Sequence, residues 1–208
     1  ARQTTEELYL LGQMAARVGA LTDCVPRQGE ADRLLVNADR NPNMAGARMT
    51  GVAAEIPGAR LKEIASGIAE GTIRTLIVFG EDVTKHGIGV ELLGKLETLV
   101  VSDILPNETT NRAHILLPGC AHAEKRGTFV NAKGHVQRFL KAIEPPGDAR
   151  PEAEFLVELL QLMAAHDFPT PASGFSMEAL FNRMARDVPA LAGIEWAKLG
   201  DGGAPTGA

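Results

Sequence analysis

The chain has 208 residues, of which 45% are hydrophobic, 23% charged and 4% aromatic, and its formal net charge at pH 7 is −5. An acidic chain with few aromatic side chains argues against a nucleic-acid partner, because phosphate binding needs a basic surface and single strands need stacking platforms. The sequence shows no signal peptide and no apolar run near the roughly 20 residues of a membrane span. We therefore expect a soluble, cytoplasmic protein with one sizeable core.

The N-terminal segment, residues 1–57, predicts one well-defined helix followed by irregular chain. Thr4 and Glu7 form a capping box, in which the side chain of each residue accepts the backbone N–H of the other. Apolar residues then recur at helical spacing up to Gly19, a typical helix terminator. Residues 34–36 are apolar but too few to assign to a strand or a helix. We expect this segment to pack on the domain that follows.

Residues 58–166 show strands that alternate with helical connections. The apolar runs that predict buried strands lie at 76–79, 99–101 and 115–117. Helical spacing predicts helices or helical turns at 61–68, 90–96 and 107–112. This alternation is typical of a doubly wound parallel sheet of the Rossmann-like α/β class, with right-handed crossovers and with helices on both faces of the sheet.

A β-hairpin is predicted near the end of this domain. Residues 128–130 and 136–139 are rich in β-branched and aromatic side chains and flank a turn that contains Asn131 and Gly134. Because side chains alternate along a strand, we expect Phe129 to face the core and its two neighbours to face outwards.

The C-terminal part predicts two further helices. Pro151 stands at the first turn of a long helix, where its missing N–H costs nothing. Ser176 is the predicted cap of a last helix. We assign residues 167–208 to a C-terminal helix and tail, and we expect order to decay beyond Pro189, although Trp196 is apolar enough to dock on the domain.

Polar side chains follow the predicted strands, at the edge of the sheet where ligands bind in open α/β proteins. Gly80, Glu81 and Asp82 come directly after the first strand. No glycine-rich phosphate cradle precedes the helix, and a carboxylate would repel a phosphate. The pattern therefore favours a strand-end turn with solvated carboxylates over a phosphate site.

The sequence offers no standard metal or nucleophile motif. The residues considered as metal ligands are His86, His114, His122, His135 and Glu124. Their spacing fits no known ligand pattern, so we expect exposed or hydrogen-bonded histidines and no bound metal. Cys24 and Cys120 are too few for a structural zinc site or a four-cysteine cluster, and a cytoplasmic setting disfavours a disulfide between them.

A family resemblance rests on residues 123–131, which read AEKRGTFVN and are followed by Gly134 and Gln137. This stretch resembles the AE-x-x-GTF-x-N-x-x-G-R-x-Q segment of the molybdopterin oxidoreductase superfamily, with His135 where the family usually has Arg. The segments DRNPNMAGA, VFGEDV, SDILPNETT and LLPGCAHAEKRGTFVNAKG are most similar to the large iron–sulfur subunit of bacterial NADH–quinone oxidoreductase, respiratory complex I. The chain looks like an excised fragment, the C-terminal part of the molybdopterin-type domain.

The resemblance also implies a set of site residues. By this resemblance, the candidate cofactor-binding residues, which would be vestigial in a chain without cofactor, are Gly80, Glu81, Asp103, Glu124, Gly127 and Asn131. In relatives that bind a dinucleotide-type pterin cofactor, a carboxylate at Asp103 would suit a guanine edge or a ribose hydroxyl, and it is equally suited to capping the next turn. Asp82 and Val83 replace the family's Asn and Pro, which together with His135 is consistent with a lost cofactor.

The function implied by the resemblance is a scaffold in NADH–quinone oxidoreductase electron transfer, not itself catalytic. The chain would hold no cofactor, and iron–sulfur clusters would lie elsewhere in the full-length subunit. Its partners would be other subunits of the peripheral arm and the remaining domains of its own chain, at a cytoplasmic location peripheral to the inner membrane. The alternative is a piece of an active molybdopterin-dependent oxidoreductase such as a formate dehydrogenase, which would bind molybdopterin.

Overall fold

The structure is a computed structural model, and it describes residues 2–163 and 174–207. The α-helices are α1 (Thr5–Val18), α2 (Met44–Met49), α3 (Leu61–Glu70), α4 (Val90–Leu93), α5 (Glu152–Leu162) and α6 (Met177–Asp187). The strands are β1 (Thr75–Phe79), β2 (Thr98–Asp103), β3 (Ile115–Pro118), β4 (Gly127–Val130), β5 (His135–Phe139) and β6 (Ala204–Pro205). Among the described residues, no helix is long and apolar enough to cross a membrane.

Two sheets form the frame of the fold. Strands β1, β2 and β3 are parallel and neighbour one another in that order, with Val78 opposite Val101 and Val101 opposite Leu116. Strands β4, β5 and β6 form an antiparallel sheet. The predicted α/β architecture, a parallel sheet with an added hairpin and flanking helices, is confirmed.

The helix ends follow the predicted local chemistry. The Thr4 hydroxyl accepts the Glu7 N–H at 3.1 Å, and the Glu7 carboxylate accepts the Thr4 N–H at 2.8 Å. Helix α1 ends at Gly19, whose φ of 64° lies in the left-handed region that glycine adopts without strain. The Ser176 hydroxyl accepts the Ala179 N–H at 3.2 Å, so the predicted cap of α6 is confirmed.

The parallel sheet is covered on one face along most of its length. Helices α3 and α4 both pack on the face that carries Val78 and Val101. On the opposite face Ile77, Val100 and Ile115 lie side by side, and Ile77 and Ile115 are 39% and 50% exposed. The expectation that helices cover both faces of the sheet is therefore wrong for the side chains of Ile77, Val100 and Ile115. Helix α5 reaches only the Phe79 end of that face.

The hairpin is turned over relative to its predicted orientation. Thr128 and Val130 are buried at 0% and 2% exposure, whereas Phe129 is half-buried and packs against Phe139 with ring centroids 5.0 Å apart. The predicted orientation of Phe129 is wrong, because a polar contact decides which face is covered. The Thr128 hydroxyl donates to a Glu6 carboxylate oxygen at 3.0 Å, which holds that face against α1.

The main core joins α1, α5, α6 and the hairpin with the C-terminal residues. Leu191, Trp196 and Leu199 are buried in it, and the Trp196 ring packs against Phe181 with centroids 5.7 Å apart. The expectation that order decays beyond Pro189 is therefore wrong, because large apolar side chains there complete the core. The division of the chain at residues 58 and 167 stays a prediction.

Replacing Phe181 with Ala should lower the free energy of unfolding by about 3–5 kcal/mol, because a fully buried ring leaves a cavity. Urea unfolding followed by circular dichroism measures the change. Leu34→Ala is the matched control, since Leu34 is 85% exposed and its truncation should cost less than about 0.5 kcal/mol. Similar small changes in both variants would contradict the packing of the C-terminal residues over Phe181.

Candidate functional site

A cleft of about 340 Å³ opens where the parallel strands end. Gly80, Asp103 and Cys120 line it, and each lies directly beyond or at the carboxyl end of β1, β2 or β3. Phe129 of the hairpin lines it as well. The cleft thus occupies the edge of the sheet at which open α/β folds place ligands.

Guanidinium groups surround the mouth of the cleft. Arg2, Arg27 and Arg40 all line it, and each comes from the N-terminal segment. Arg27 forms a forked ion pair with Glu81, with its Nη2 at 2.5 and 2.6 Å from the carboxylate oxygens. The Nη2 of Arg40 donates to the carbonyl oxygen of Glu30 at 2.7 Å, which fixes its position. Such planar donors favour phosphate and carboxylate ligands.

A buried ionic cluster forms the deep wall of the cleft. The Lys125 Nζ lies 2.7 Å from Glu152 Oε2 and 3.0 Å from both carboxylate oxygens of Glu7. The side chains of Lys125, Glu152 and Glu7 are 4%, 4% and 1% exposed. Gln3 Nε2 donates to Glu152 Oε1 at 3.3 Å, and the Cys120 N–H donates to Oε2 at 3.4 Å. We call the Glu7, Lys125 and Glu152 group the carboxylate–lysine cluster.

Burial shapes the titration of this cluster. Burial, reinforced by the charge of Glu7, raises the pKa of Glu152 to about 7. Burial opposes the charged form of Lys125, but Glu7 and Glu152 outweigh it and raise the lysine pKa, so the ammonium stays charged. Burial likewise raises the pKa of Glu6 to about 7, although Thr128 donates to its carboxylate. Two carboxyl groups near the cleft are therefore poised to change charge near neutral pH.

The cysteines are not suited to nucleophilic chemistry. Cys24 and Cys120 are both free and buried. Burial and the charge of Glu152 raise the pKa of the Cys120 thiol to about 12, so the reactive thiolate is scarce at neutral pH. Burial also raises the pKa of Cys24.

The strand-end candidates lie at the cleft. Gly80 has a φ of 62° and lines the cleft, and Glu81 adjoins it through its ion pair with Arg27. Asp103 lines the cleft and also caps the following turn, with Oδ1 accepting the Ile104 N–H at 2.7 Å and Oδ2 accepting from Asn107 Nδ2 at 2.9 Å. The structure therefore brings these predicted residues together.

The motif candidates of the hairpin have local structural contacts instead. Glu124 accepts the Ala121 N–H at 2.8 Å, and Asn131 Oδ1 accepts the N–H of Lys133 at 2.9 Å inside the turn. A Cβ on Gly127 would lie 2.7 Å from the Thr4 methyl, so only glycine fits there. These residues position the hairpin and are not among the residues that line the cleft.

The solvated-carboxylate interpretation of Glu81 and Asp82 is wrong. Both side chains are only 11–12% exposed. Asp82 Oδ1 accepts from the hydroxyls of Thr84 and Thr109 at 2.7 and 2.9 Å. Burial opposes ionisation, but these bonds and Lys85 lower the pKa of Asp82 to about 2. Since this charge is satisfied locally and Asp82 does not line the cleft, it is no obstacle to an anionic ligand there.

The histidines do not converge. His86 Nε2 lies 3.5 Å from Glu81 Oε1, and His114 Nδ1 accepts the Leu99 N–H at 2.9 Å. Within residues 2–163 and 174–207, no group of three or more His, Cys, Asp or Glu side chains is arranged to hold a metal ion.

Sequence reasoning missed Arg2, Arg27 and the carboxylate–lysine cluster. Glu7 is visible in the sequence only as part of a helix cap, and Lys125 as a variable position of the AE-x-x-GTF motif. Glu7 and Lys125 are 118 residues apart, so no local period joins them.

Comparison with known proteins decides the family. The family model described as molybdopterin oxidoreductase matches residues 3–162. The chain belongs to the molybdopterin oxidoreductase family. It is 35% identical over 142 residues to the NADPH-Fe(3+) oxidoreductase subunit alpha of Geobacter sulfurreducens, covering 66% of this chain and 16% of that protein. It is 33% identical over 132 residues to the F420-dependent formate dehydrogenase 2 subunit alpha of Methanococcus maripaludis, covering 62% of this chain and 19% of that protein.

The solved structures agree on the fold of this molybdopterin oxidoreductase domain. Acetylene hydratase from Pelobacter acetylenicus matches 67% of this chain and 20% of its own, with a TM-score of 0.51 and 18% identity. At that identity the likeness concerns the fold alone. The chain spans less than a fifth of the length of the two curated relatives.

The free energy of unfolding should fall as the pH rises from about 5 to about 7. Glu6 and Glu152 have folded pKa values of about 7 against an ordinary 4.5, so the folded state holds more protons than the unfolded state within this window. The opposite effect of Asp82, whose pKa is lowered to about 2, lies at more acidic pH. Urea midpoints measured at several pH values test the slope.

Glu152→Gln should reduce this pH dependence, because it removes one of the two titrating carboxyl groups. Glu158→Gln on the same helix is the control, since Glu158 is exposed and pairs with Arg150 at 2.6 Å. A stability that is flat between about pH 5 and 7, or that rises, would contradict the raised pKa values.

Proposed function

We propose that this chain forms part of the cofactor-binding wall of an active molybdopterin-dependent oxidoreductase of the formate dehydrogenase type. The observation that carries the proposal is the cleft at the carboxyl ends of β1, β2 and β3, with Arg2, Arg27 and Arg40 around its mouth. A cleft at this edge of the sheet, rimmed by cations, suits an anionic cofactor.

The residues present fit a pterin cofactor of the dinucleotide type. Its phosphates are anionic, and Arg2, Arg27 and Arg40 are the groups that would hold them. Asp103 keeps acceptor capacity beyond its turn contacts, which suits a guanine edge or a ribose hydroxyl. When bound, such a cofactor supplies a metal centre for redox chemistry. The chain's own part is to bind, orient and charge-balance the cofactor.

A scaffold role in NADH–quinone oxidoreductase is the second candidate. It is favoured by the similarity of segments such as DRNPNMAGA and SDILPNETT and by His135 in place of Arg. The sequence interpretation took Asp82 as a sign of a lost cofactor. In the structure its carboxylate accepts hydrogen bonds from Thr84 and Thr109, which weakens the scaffold candidate. The formate dehydrogenase and NADPH-Fe(3+) oxidoreductase relatives add weight to the active-enzyme interpretation.

Both candidates place this domain in a larger assembly. We propose that its partners are the remaining domains of a longer chain and further subunits, in the cytoplasm, with iron–sulfur clusters carried outside this chain. Metal and pterin analysis of the complete protein separates the two. Stoichiometric molybdenum or tungsten with pterin is expected for the active enzyme, and their absence from active preparations would favour the scaffold.

The cleft should bind di(guanosine-5′) pyrophosphate, a dinucleotide in which each phosphate carries one ester and one anhydride bond. Arg40→Gln should weaken this binding by about 10- to 150-fold, as expected for loss of one charge-assisted contact of roughly 1.5–3 kcal/mol. Isothermal titration calorimetry measures the affinity.

The matched control is Arg74→Gln. Arg74 is exposed, pairs with Glu97 at 3.1 Å and precedes β1, at the opposite edge of the sheet. Equal losses in both variants would indicate nonspecific charge attraction and would count against a site in the cleft. A wild-type chain that does not bind the dinucleotide would contradict the proposed cofactor wall.

A further inference from the structure

The carboxylate–lysine cluster carries one more negative than positive charge when all of its members are ionised. Glu7 and Glu152 share the single Lys125 ammonium, which lies 2.7–3.0 Å from their oxygens. All three side chains are 4% exposed or less, so solvent hardly screens the excess charge. One proton would make the cluster neutral.

The cluster is placed to sense charge in the cleft. Glu152 and Lys125 line the cleft, whereas Glu7 lies behind them on α1. The other contacts of the Glu152 carboxylate, from Gln3 Nε2 and the Cys120 N–H, are long at 3.3 and 3.4 Å. An anion that enters the cleft therefore approaches a carboxylate whose charge is balanced chiefly by a shared lysine.

Other charged and titratable groups also surround the cluster, and His122 lines the same cleft. From α1, Glu6 turns to Thr128; from the loop after β3, Glu124 accepts the Ala121 N–H. From β2, Asp103 is held in its turn, and Ser102 is buried with a hydroxyl that has no hydrogen-bond partner among the described residues.

The thiol and the arginines complete this environment. The Cys120 thiol stays protonated because burial and Glu152 raise its pKa. Arg2, Arg27 and Arg40 attract the anion from the mouth of the cleft. Glu152 is the cleft carboxylate whose charge is balanced chiefly by the shared Lys125 ammonium.

We propose that the carboxylate–lysine cluster takes up a proton when a phosphate-bearing ligand enters the cleft, so that the ligand binds more tightly at lower pH. This inference rests on the proposed function, because it requires the cleft to hold such a ligand. The incoming negative charge disfavours the ionised form of Glu152, and protonation restores neutrality behind the ligand. A folded pKa of about 7 for Glu152 means that this protonation is available near neutral pH.

The test is calorimetric titration of the chain with di(guanosine-5′) pyrophosphate in two buffers of different ionisation enthalpy. Each phosphate of this probe is doubly substituted and has no second ionisation near neutral pH, so any proton taken up belongs to the protein. We expect the apparent binding enthalpy to depend on the buffer, with uptake of a substantial fraction of one proton. The affinity should be about three- to tenfold higher at about pH 6 than at about pH 8, since one unit of pKa shift corresponds to tenfold.

Glu152→Gln leaves one carboxylate for one ammonium and so imitates the protonated cluster. It should bind the probe at every pH about as tightly as the wild-type chain does at low pH, without proton uptake. Glu7→Gln should also abolish the uptake, because the charge of Glu152 is then balanced by Lys125, and it serves as the second variant should Glu152→Gln unfold. Glu158→Gln, an exposed glutamate on the same helix, should behave as wild type.

The outcomes separate this inference from the proposed function. Binding with the same enthalpy in both buffers and no pH dependence would overturn the inference and leave the cleft as a binding site. Proton uptake that persists in folded Glu152→Gln and Glu7→Gln would assign it to other groups and would also overturn it. Absence of binding under all conditions would overturn both.

Discussion

The ion pairs of Lys125 with Glu7 and Glu152 are the constraint on which the rest of the structure depends. They join α1, the chain leading into β4, and the first residue of α5 in one buried contact. Buried charges are tolerated only when they are paired and hydrogen-bonded, so these three elements have to meet with little freedom. Removing the shared cation, Lys125, should cost about 3–5 kcal/mol, because both carboxylates would stay buried and uncompensated. The deep wall of the cleft is formed by these paired side chains.

A second layer of polar contacts extends the same constraint to the hairpin and α2. Asn43 is fully buried, donates to the Gln3 carbonyl oxygen at 2.9 Å and accepts the Val130 N–H at 2.9 Å. Glu6 accepts the N–H of Thr128 at 2.9 Å. These bonds satisfy the backbone of β4 on its edge next to α1, which explains why the face with Thr128 and Val130 is buried while Phe129 lies at the cleft.

The chemistry of the site follows from this arrangement. The parallel sheet places its strand ends at one edge, the N-terminal segment brings arginines to that edge, and the carboxylate–lysine cluster sets a titratable charge beneath them. Membership of the molybdopterin oxidoreductase family rests on the family match over residues 3–162. Glu124, Gly127 and Asn131 hold the framework of the hairpin, whereas Arg2, Arg27 and Arg40 line the cleft.

The sequence by itself determined the elements whose signals are local. Caps such as Thr4 with Glu7, terminators such as Gly19, and apolar runs bounded by breakers depend on residues within a turn or two, so the α/β class and the strand ends could be predicted. The family resemblance was also legible, because it lies in one continuous stretch. Tertiary structure alone decided which face of the hairpin is buried and that Lys125 meets Glu7 and Glu152. Those outcomes depend on contacts between residues far apart in the chain, since Glu6 is 122 positions from Thr128 and Glu7 is 118 positions from Lys125, and no local period records such pairs.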